Sequence, residues 1–135
     1  VDVPLLEHVW STSDALAYIE HGSLDVFNIG TTGCGGIWPA RQIGALAEVA
    51  GVGVLLGSTV EMGPGTLAQL HLAASLPGLT MPSDLIGPGL LADDVLAAPL
   101  VYQAGQLPVP HEPGIGPMIC RQQLARLSQD AHGML

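Results

Sequence analysis

The side chains that could do chemistry are few, and most of them fall in two short glycine-rich loops. Glu61 lies in Gly57-Ser58-Thr59-Val60-Glu61-Met62-Gly63-Pro64-Gly65, a carboxylate flanked by small and hydroxyl-bearing residues. Such a carboxylate can serve as a general acid or base, or as a ligand. A carboxylate just ahead of a helix is also favoured by the positive end of the helix dipole, and the sequence leaves both readings open. In the other loop, Asn28 is followed by Gly30-Thr31-Thr32-Gly33-Cys34-Gly35-Gly36. Its glycine spacing is not G-x-G-x-x-G, no acidic residue ends the next apolar run, and no Gly-Lys-Ser/Thr follows, so the phosphate-cradling chemistry of such loops is not supported. A tight turn that needs positive φ is the plainer account. Asp2 is a lone carboxylate near the first residue, and Asp84 precedes a short apolar run. His71 falls on a helix as a packed or solvent-facing residue, and His8, His21, His111 and His132 lie in loops or at helix ends with no metal-ligand spacing.

The composition narrows the function classes. Among 135 residues there is no lysine; the three firm positive charges are Arg41, Arg121 and Arg126, against twelve carboxylates and a formal net charge of −9. A nucleic-acid binder needs a basic face to neutralise phosphates, and an anionic membrane surface is disfavoured by the same sign. Any mechanism that draws a lysine base from this chain is ruled out. Charged residues make up 11% and hydrophobic residues 48%, a charge content well below the usual ~25%. Much of the surface is therefore expected to be covered. The two cysteines, Cys34 and Cys120, show no C-x-x-C pairing and are too few for a disulfide scaffold. They are expected to be reduced and partly buried, in a cytoplasmic protein without a signal peptide or membrane span.

The elements that must position these residues alternate. Ser11 and Asp14 open a capping box, predicting a helix that stops at His21-Gly22. Leu24 to Ile29 reads as a strand, Ile37 to Ala50 as a helix with Ile43, Leu46, Ala47 and Ala50 on one stripe, and Val52 to Leu56 as a strand buried on both faces. A helix over Thr66 to Leu76 follows, with Pro64 near its start; then a short strand at Asp84 to Gly87, a strand near Leu100 to Gln103, and a last helix from about Ile119 to Gln129. Alternating βα units predict a parallel sheet. It is either an open doubly wound sheet or, at about three and a half units, roughly half of an eight-stranded barrel of about 250 residues. In either fold the functional groups belong at the carboxyl ends of the strands, where Asn28, Gly30, Ser58, Thr59 and Glu61 fall. Asp2 is read as lying at the end of a strand that precedes Val3.

The series Asp2-Val3-Pro4, Asp25-Val26-Phe27-Asn28-Ile29, Gly35-Gly36-Ile37, Ala47-Glu48-Val49-Ala50-Gly51, Gly57-Ser58-Thr59-Val60-Glu61, His71-Leu72-Ala73-Ala74 and Asp84-Leu85-Ile86-Gly87-Pro88 resembles the enolase superfamily. Within it, the series resembles the mandelate racemase and muconate lactonizing (muconate cycloisomerase) branch. The resemblance ends at Val109-Pro110 and Pro113-Gly114-Ile115-Gly116. It implies an α/β fold, the C-terminal part of a (β/α)7β TIM-type barrel, incomplete on its own. Residues 1–108 would form the second half of the barrel, from the end of strand 5 to strand 8, and residues 109–135 a C-terminal return segment with a short helix. The N-terminal half of the barrel and a capping domain would be the partner, in the same or a separate chain, and a homo-oligomer is implied.

The resemblance further implies an isomerase or lyase acting on a small carboxylate substrate through an enediolate, with Mg2+ or Mn2+ held by three carboxylates, of which Asp2 matches the third. Glu61 matches an acidic position after the seventh strand, as the catalytic residue, and Asn28, Ser58 and Thr59 would contact the substrate. Two departures stand out. The position of an acid–base lysine five residues before the Gly-Gly pair is Gly30, and the residue after the metal ligand, commonly Glu, is Val3. Loss of that lysine disfavours two-base racemisation and leaves one-base chemistry. The alternative is a catalytically inactive relative that keeps the barrel to bind a ligand or partner.

Overall fold

The computed structural model describes residues 2–79 and 81–132. Strand β1 spans Leu6–His8, β2 Val26–Ile29 and β3 Gly53–Leu56. The three pair in the order β1-β2-β3, all parallel. Register sets Leu6 beside Val26, His8 beside Asn28, and Asn28 beside Leu55. Helix α1, Thr12–His21, connects β1 to β2. The four-residue α2, Thr31–Cys34, and α3, Ile37–Ala50, connect β2 to β3, and α4, Gly63–Ser75, follows β3. Helix α5, Arg121–His132, lies near the end. Residues 133–135 of the expected return segment lie outside the described residues.

Local chemistry explains the boundaries. Ser11 caps α1 by accepting the Asp14 N–H at 3.1 Å, and Gly22 closes it in the left-handed region at φ +58°. Helix α3 ends in the same way at Gly51, φ +71°. In the glycine loop, positive φ belongs to Gly35 and Gly36, whereas Gly30 is extended at φ −151°. The expected tight turn is therefore real but lies five residues beyond Gly30.

Strand alternation divides the sheet. Phe27, Ile29, Val54 and Leu56 are buried and join Ala15, Ala40, Ile43, Ala47, Leu72 and Leu76 of the helices in one apolar cluster. Burying a side chain such as Phe27 or Ile29 fully contributes about 1.5–3 kcal/mol. The residues that alternate with them, Asn28 on β2 and its neighbours His8 and Leu55, lie on the face turned away from the helices. A second cluster joins Leu67 and Leu70 of α4 to Leu96.

Three expectations are corrected. Leu6–His8 is a strand that the sequence did not announce, because its three residues are exposed and do not alternate in polarity. Asp84 to Gly87 is not a strand. Among the described residues, pairing beyond β3 consists of the bridge Val54–Leu79 and two bonds to Leu56, whose carbonyl accepts the Asp84 N–H and whose N–H donates to Ser83 Oγ. The chain then turns through a 3-10 segment at Gly87–Leu90, since Pro88 cannot donate to a ladder. At Leu100 to Gln103 the regular pairing is one antiparallel bridge, Gln103 with Gln106. Ile119 pairs back onto Leu96, and Arg126 forms an ion pair with Asp93 at 2.8 Å.

Candidate functional site

The loop after β3 is built around one carboxylate. Glu61 Oε2 accepts from Ser58 Oγ at 3.1 Å, the Thr59 N–H at 2.8 Å and Thr59 Oγ1 at 3.3 Å, while Oε1 accepts from Thr66 Oγ1 at 2.8 Å. Burial alone raises the Glu61 pKa, but these donors outweigh it and hold the carboxyl below its ordinary value of 4.5. Val60, within this loop, has φ +60°, a conformation unusual for a β-branched residue. Such strain persists only where its surroundings enforce it; here the Val60 N–H donates to Ser58 Oγ at 3.0 Å. Gly87 lies flat against the Glu61 backbone, leaving no room for a Cβ. Sequence pattern therefore located Glu61, Ser58 and Thr59 together, but not Thr66 as a partner. Nor did it find Tyr102, whose phenol donates to the Leu85 carbonyl and whose pKa is raised by burial and by the nearby Glu61 and Asp94 charges. Asp84 and Tyr102 line a cleft of about 380 Å³ with Leu70, Leu85 and Leu107.

At the end of β2, Asn28 borders Gly57: a Cβ on Gly57 would stand 2.5 Å from Asn28 Oδ1. A Cβ on Gly30 would meet only the Gly57 carbonyl at 3.4 Å and Gln69 Oε1 at 3.7 Å. Gly30, Asn28, Gly57 and Gln69 thus form one cluster. Gln69 is fully buried, and neither its amide atoms nor Asn28 Oδ1 has a hydrogen-bond partner among the described residues. Gly30 brings no acid or base to it.

Asp2 does not share this end of the sheet. Because β1 runs from Leu6 to His8, its carboxyl end is at His8 and Val9, and Asp2 stands exposed four residues before the strand begins. Asp2 therefore lies outside β1 and away from its carboxyl end. Shifting the Asp2-Val3 pair by four residues reaches Leu6-Glu7, and Leu6 offers no ligand atom. Among the described residues no group of three or more His, Cys, Asp or Glu side chains could hold a metal ion. The described residues therefore bring no complete metal site of their own.

His8 occupies the place that Asp2 does not. Its ring stacks on Trp10 at 4.9 Å, its Nδ1 lies 3.4 Å from Glu7 Oε1, and its Nε2 lies 3.1 Å from Asn28 Nδ2. No local pattern announces it, since a lone histidine outside a recognised element carries no spacing signal.

A parallel βα array with its polar groups gathered at the strands' carboxyl ends is the architecture of an α/β barrel portion. Residues 1–123 match the family described as "Enolase C-terminal domain-like". The chain is 36% identical over 118 residues to muconate cycloisomerase 1 of Rhodococcus opacus, covering 86% of this chain and 32% of that protein. It is 33% identical over 117 residues to the L-Ala-D/L-Glu epimerase of Bacillus subtilis strain 168, covering 85% and 32%. It superposes on muconate lactonizing enzyme from Pseudomonas putida with a TM-score of 0.87 at 32% identity, over 92% of this chain and 35% of that one. The chain belongs to the enolase C-terminal domain-like family, on its muconate cycloisomerase-like side, and spans about a third of the length of these relatives. Its fold is part of a TIM-type barrel.

Proposed function

We propose that this chain is the C-terminal portion of a muconate cycloisomerase-like enzyme that binds a small carboxylate substrate at the carboxyl ends of its strands. The reaction removes or delivers a proton beside the carboxylate, through an enediolate. The observation that carries this reading is the fixed Glu61 loop beside the Asn28–Gly57 cluster. Glu61 is kept ionised by four donated hydrogen bonds and holds the Ser58 and Thr59 hydroxyls in one place. Asn28, Ser58 and Thr59 bind and orient the substrate, and Glu61 positions a proton-transfer partner. Gly30 supplies no base on its side, so the chemistry is one-base. A divalent ion, Mg2+ or Mn2+, would polarise the substrate carboxylate, through carboxylates outside this chain. Residues 1–108 supply the barrel portion and residues 109–135 the return segment, in a homo-oligomer of the full-length protein in the cytoplasm.

A second reading, a relative that binds a ligand or partner without turnover, is favoured by two observations: Gly30 lacks a side chain, and Asp2 lies away from the strand ends. Full-length protein assayed with muconate and Mg2+ separates the two. Turnover that falls in Glu61→Gln supports the enzyme; tight binding without turnover supports the second reading; absence of both sinks each.

A further inference from the structure

We propose that His8, held by Glu7, is an acid–base residue of this site. The inference rests on the reading that the substrate lies at the carboxyl ends of the strands. His8 is the last residue of β1 and the register neighbour of Asn28. Asn28 alternates with Phe27 and Ile29, which are fully buried against the helices, so His8 and Asn28 are on the opposite face, the interior face of a closed barrel. The His8 side chain is 48% exposed there.

The ring is held at both nitrogens: Nε2 lies 3.1 Å from the Asn28 amide nitrogen and Nδ1 lies 3.4 Å from Glu7 Oε1. With the ring proton on Nδ1, Nε2 is the acceptor and the basic nitrogen. Glu7 also accepts the His8 backbone N–H. That bond and the side-chain contact with His8 keep the Glu7 carboxyl ionised, below its usual range. The arrangement is a carboxylate behind an imidazole whose other nitrogen is shared with the Asn28 amide, and that one contact must be released before Nε2 exchanges a proton with substrate. Asn28 suits both protonation states. Its Nδ2 donates to neutral His8, and its Oδ1, which has no partner, can accept from Nε2–H after the amide turns over.

Glu61 does not compete for this role. Four donors already occupy its oxygens, and a carboxyl held below its usual range is a weak base. With muconate, one carboxylate oxygen adds to the C=C bond conjugated with the other carboxylate, the C–O bond forming as the π pair passes into that carboxylate as the enediolate. Protonated His8, its imidazolium charge faced by Glu7, then gives its Nε2 proton to the carbon beside the carboxylate, and the neutral ring takes a proton back from water. In the reverse direction Nε2 takes that proton as the C–H bond breaks, so no oxidant or reductant is needed.

The test uses the full-length protein with muconate as probe. His8→Gln keeps an acceptor for Asn28 but cannot carry a proton. It is expected to lower kcat by about 10²- to 10⁴-fold, the range of general acid–base catalysis, with muconate affinity by calorimetry little changed. Glu7→Gln is expected to give a smaller loss of the same kind. A His8→Gln kcat equal to the parent's, or a loss confined to affinity, overturns the proposal. If the parent binds muconate without turnover, the His8 ring resonances are expected to shift on binding, and resonances that stay fixed overturn it. A parent that neither binds nor converts muconate overturns the substrate reading and this proposal with it, which keeps the two failures apart.

Discussion

Gly30 and Gly57 are both glycines at strand ends, yet they bear different constraints. Gly57 has no room: a Cβ there stands 2.5 Å from Asn28 Oδ1 and 2.7 Å from Nδ2. Gly30 is extended, and a Cβ there makes ordinary contacts. Gly57→Ala is therefore expected to destabilise by about 1–3 kcal/mol, the usual cost of overpacking, and Gly30→Ala to be near neutral, both read from denaturant midpoints of the full-length protein. Equal effects would show that Asn28 moves aside freely. Glu61 gives a prediction of a different kind. Its folded pKa lies below 4.5, so the native state binds its proton less readily than the unfolded chain. Its contribution to stability is fully present above pH 4.5 and is lost as pH falls through the lower folded value. Glu61→Gln should therefore be less stable than the parent near neutrality, with the gap closing toward acid. A gap that stays constant with pH would show that the Glu61 charge is not what the four donors stabilise.

The amino end of α4 shows how elements distant in sequence set the site. Met62 provides no side-chain cap, and the Gly63 N–H is instead taken by the Asp94 carboxylate, at 3.0 and 3.1 Å. Asp94 also binds the Val95 N–H, tying the 94–96 segment to the start of the helix beneath Glu61. Asp94→Ala is expected to destabilise by about 0.5–2 kcal/mol, as the loss of a cap does, and to loosen the Glu61 loop. Thermal melts of the variant alongside Asp94→Asn check it, since Asn keeps an acceptor. This contact joins residues thirty-one apart and has no local pattern to announce it. What was legible is local by nature: the Ser11–Asp14 cap, the left-handed closures at Gly22 and Gly51, the stripe of α3 and the apolar run of β3. The strand at Leu6–His8 was not legible, because it is short, exposed on all three residues and defined by pairing with β2 alone. Missing it left His8 unassigned. The strand expected at Asp84 failed for the converse reason: its apolar residues suit a ladder, but Pro88 and the turn at Gly87 take the chain out of it.

At the scale of the whole molecule, the absence of lysine and the low charge content agree with a chain that forms part of a larger barrel. The sheet faces outward at β1, whose Leu6, Glu7 and His8 are all exposed, and the preceding Leu5 is 57% exposed. An edge strand with unpaired backbone groups is a template for another strand, and a barrel removes the edge by closing on itself. Residues 1–135 expressed alone are accordingly expected to associate or precipitate. Co-expression with the rest of the barrel should restore a cooperative melt, which light scattering and calorimetry would read directly. A monodisperse monomer of the isolated chain with a sharp melt would mean that β1 is a tolerated edge and the barrel portion is self-sufficient. The metal belongs to the same scale. Asp2 lies before β1, away from the strand ends, so Mg2+ affinity of the full-length protein is expected to be unchanged in Asp2→Ala. A loss of affinity in that variant would mean that closing the barrel carries Asp2 to the carboxyl ends, and that the path of the chain ahead of β1 differs once the other half is present.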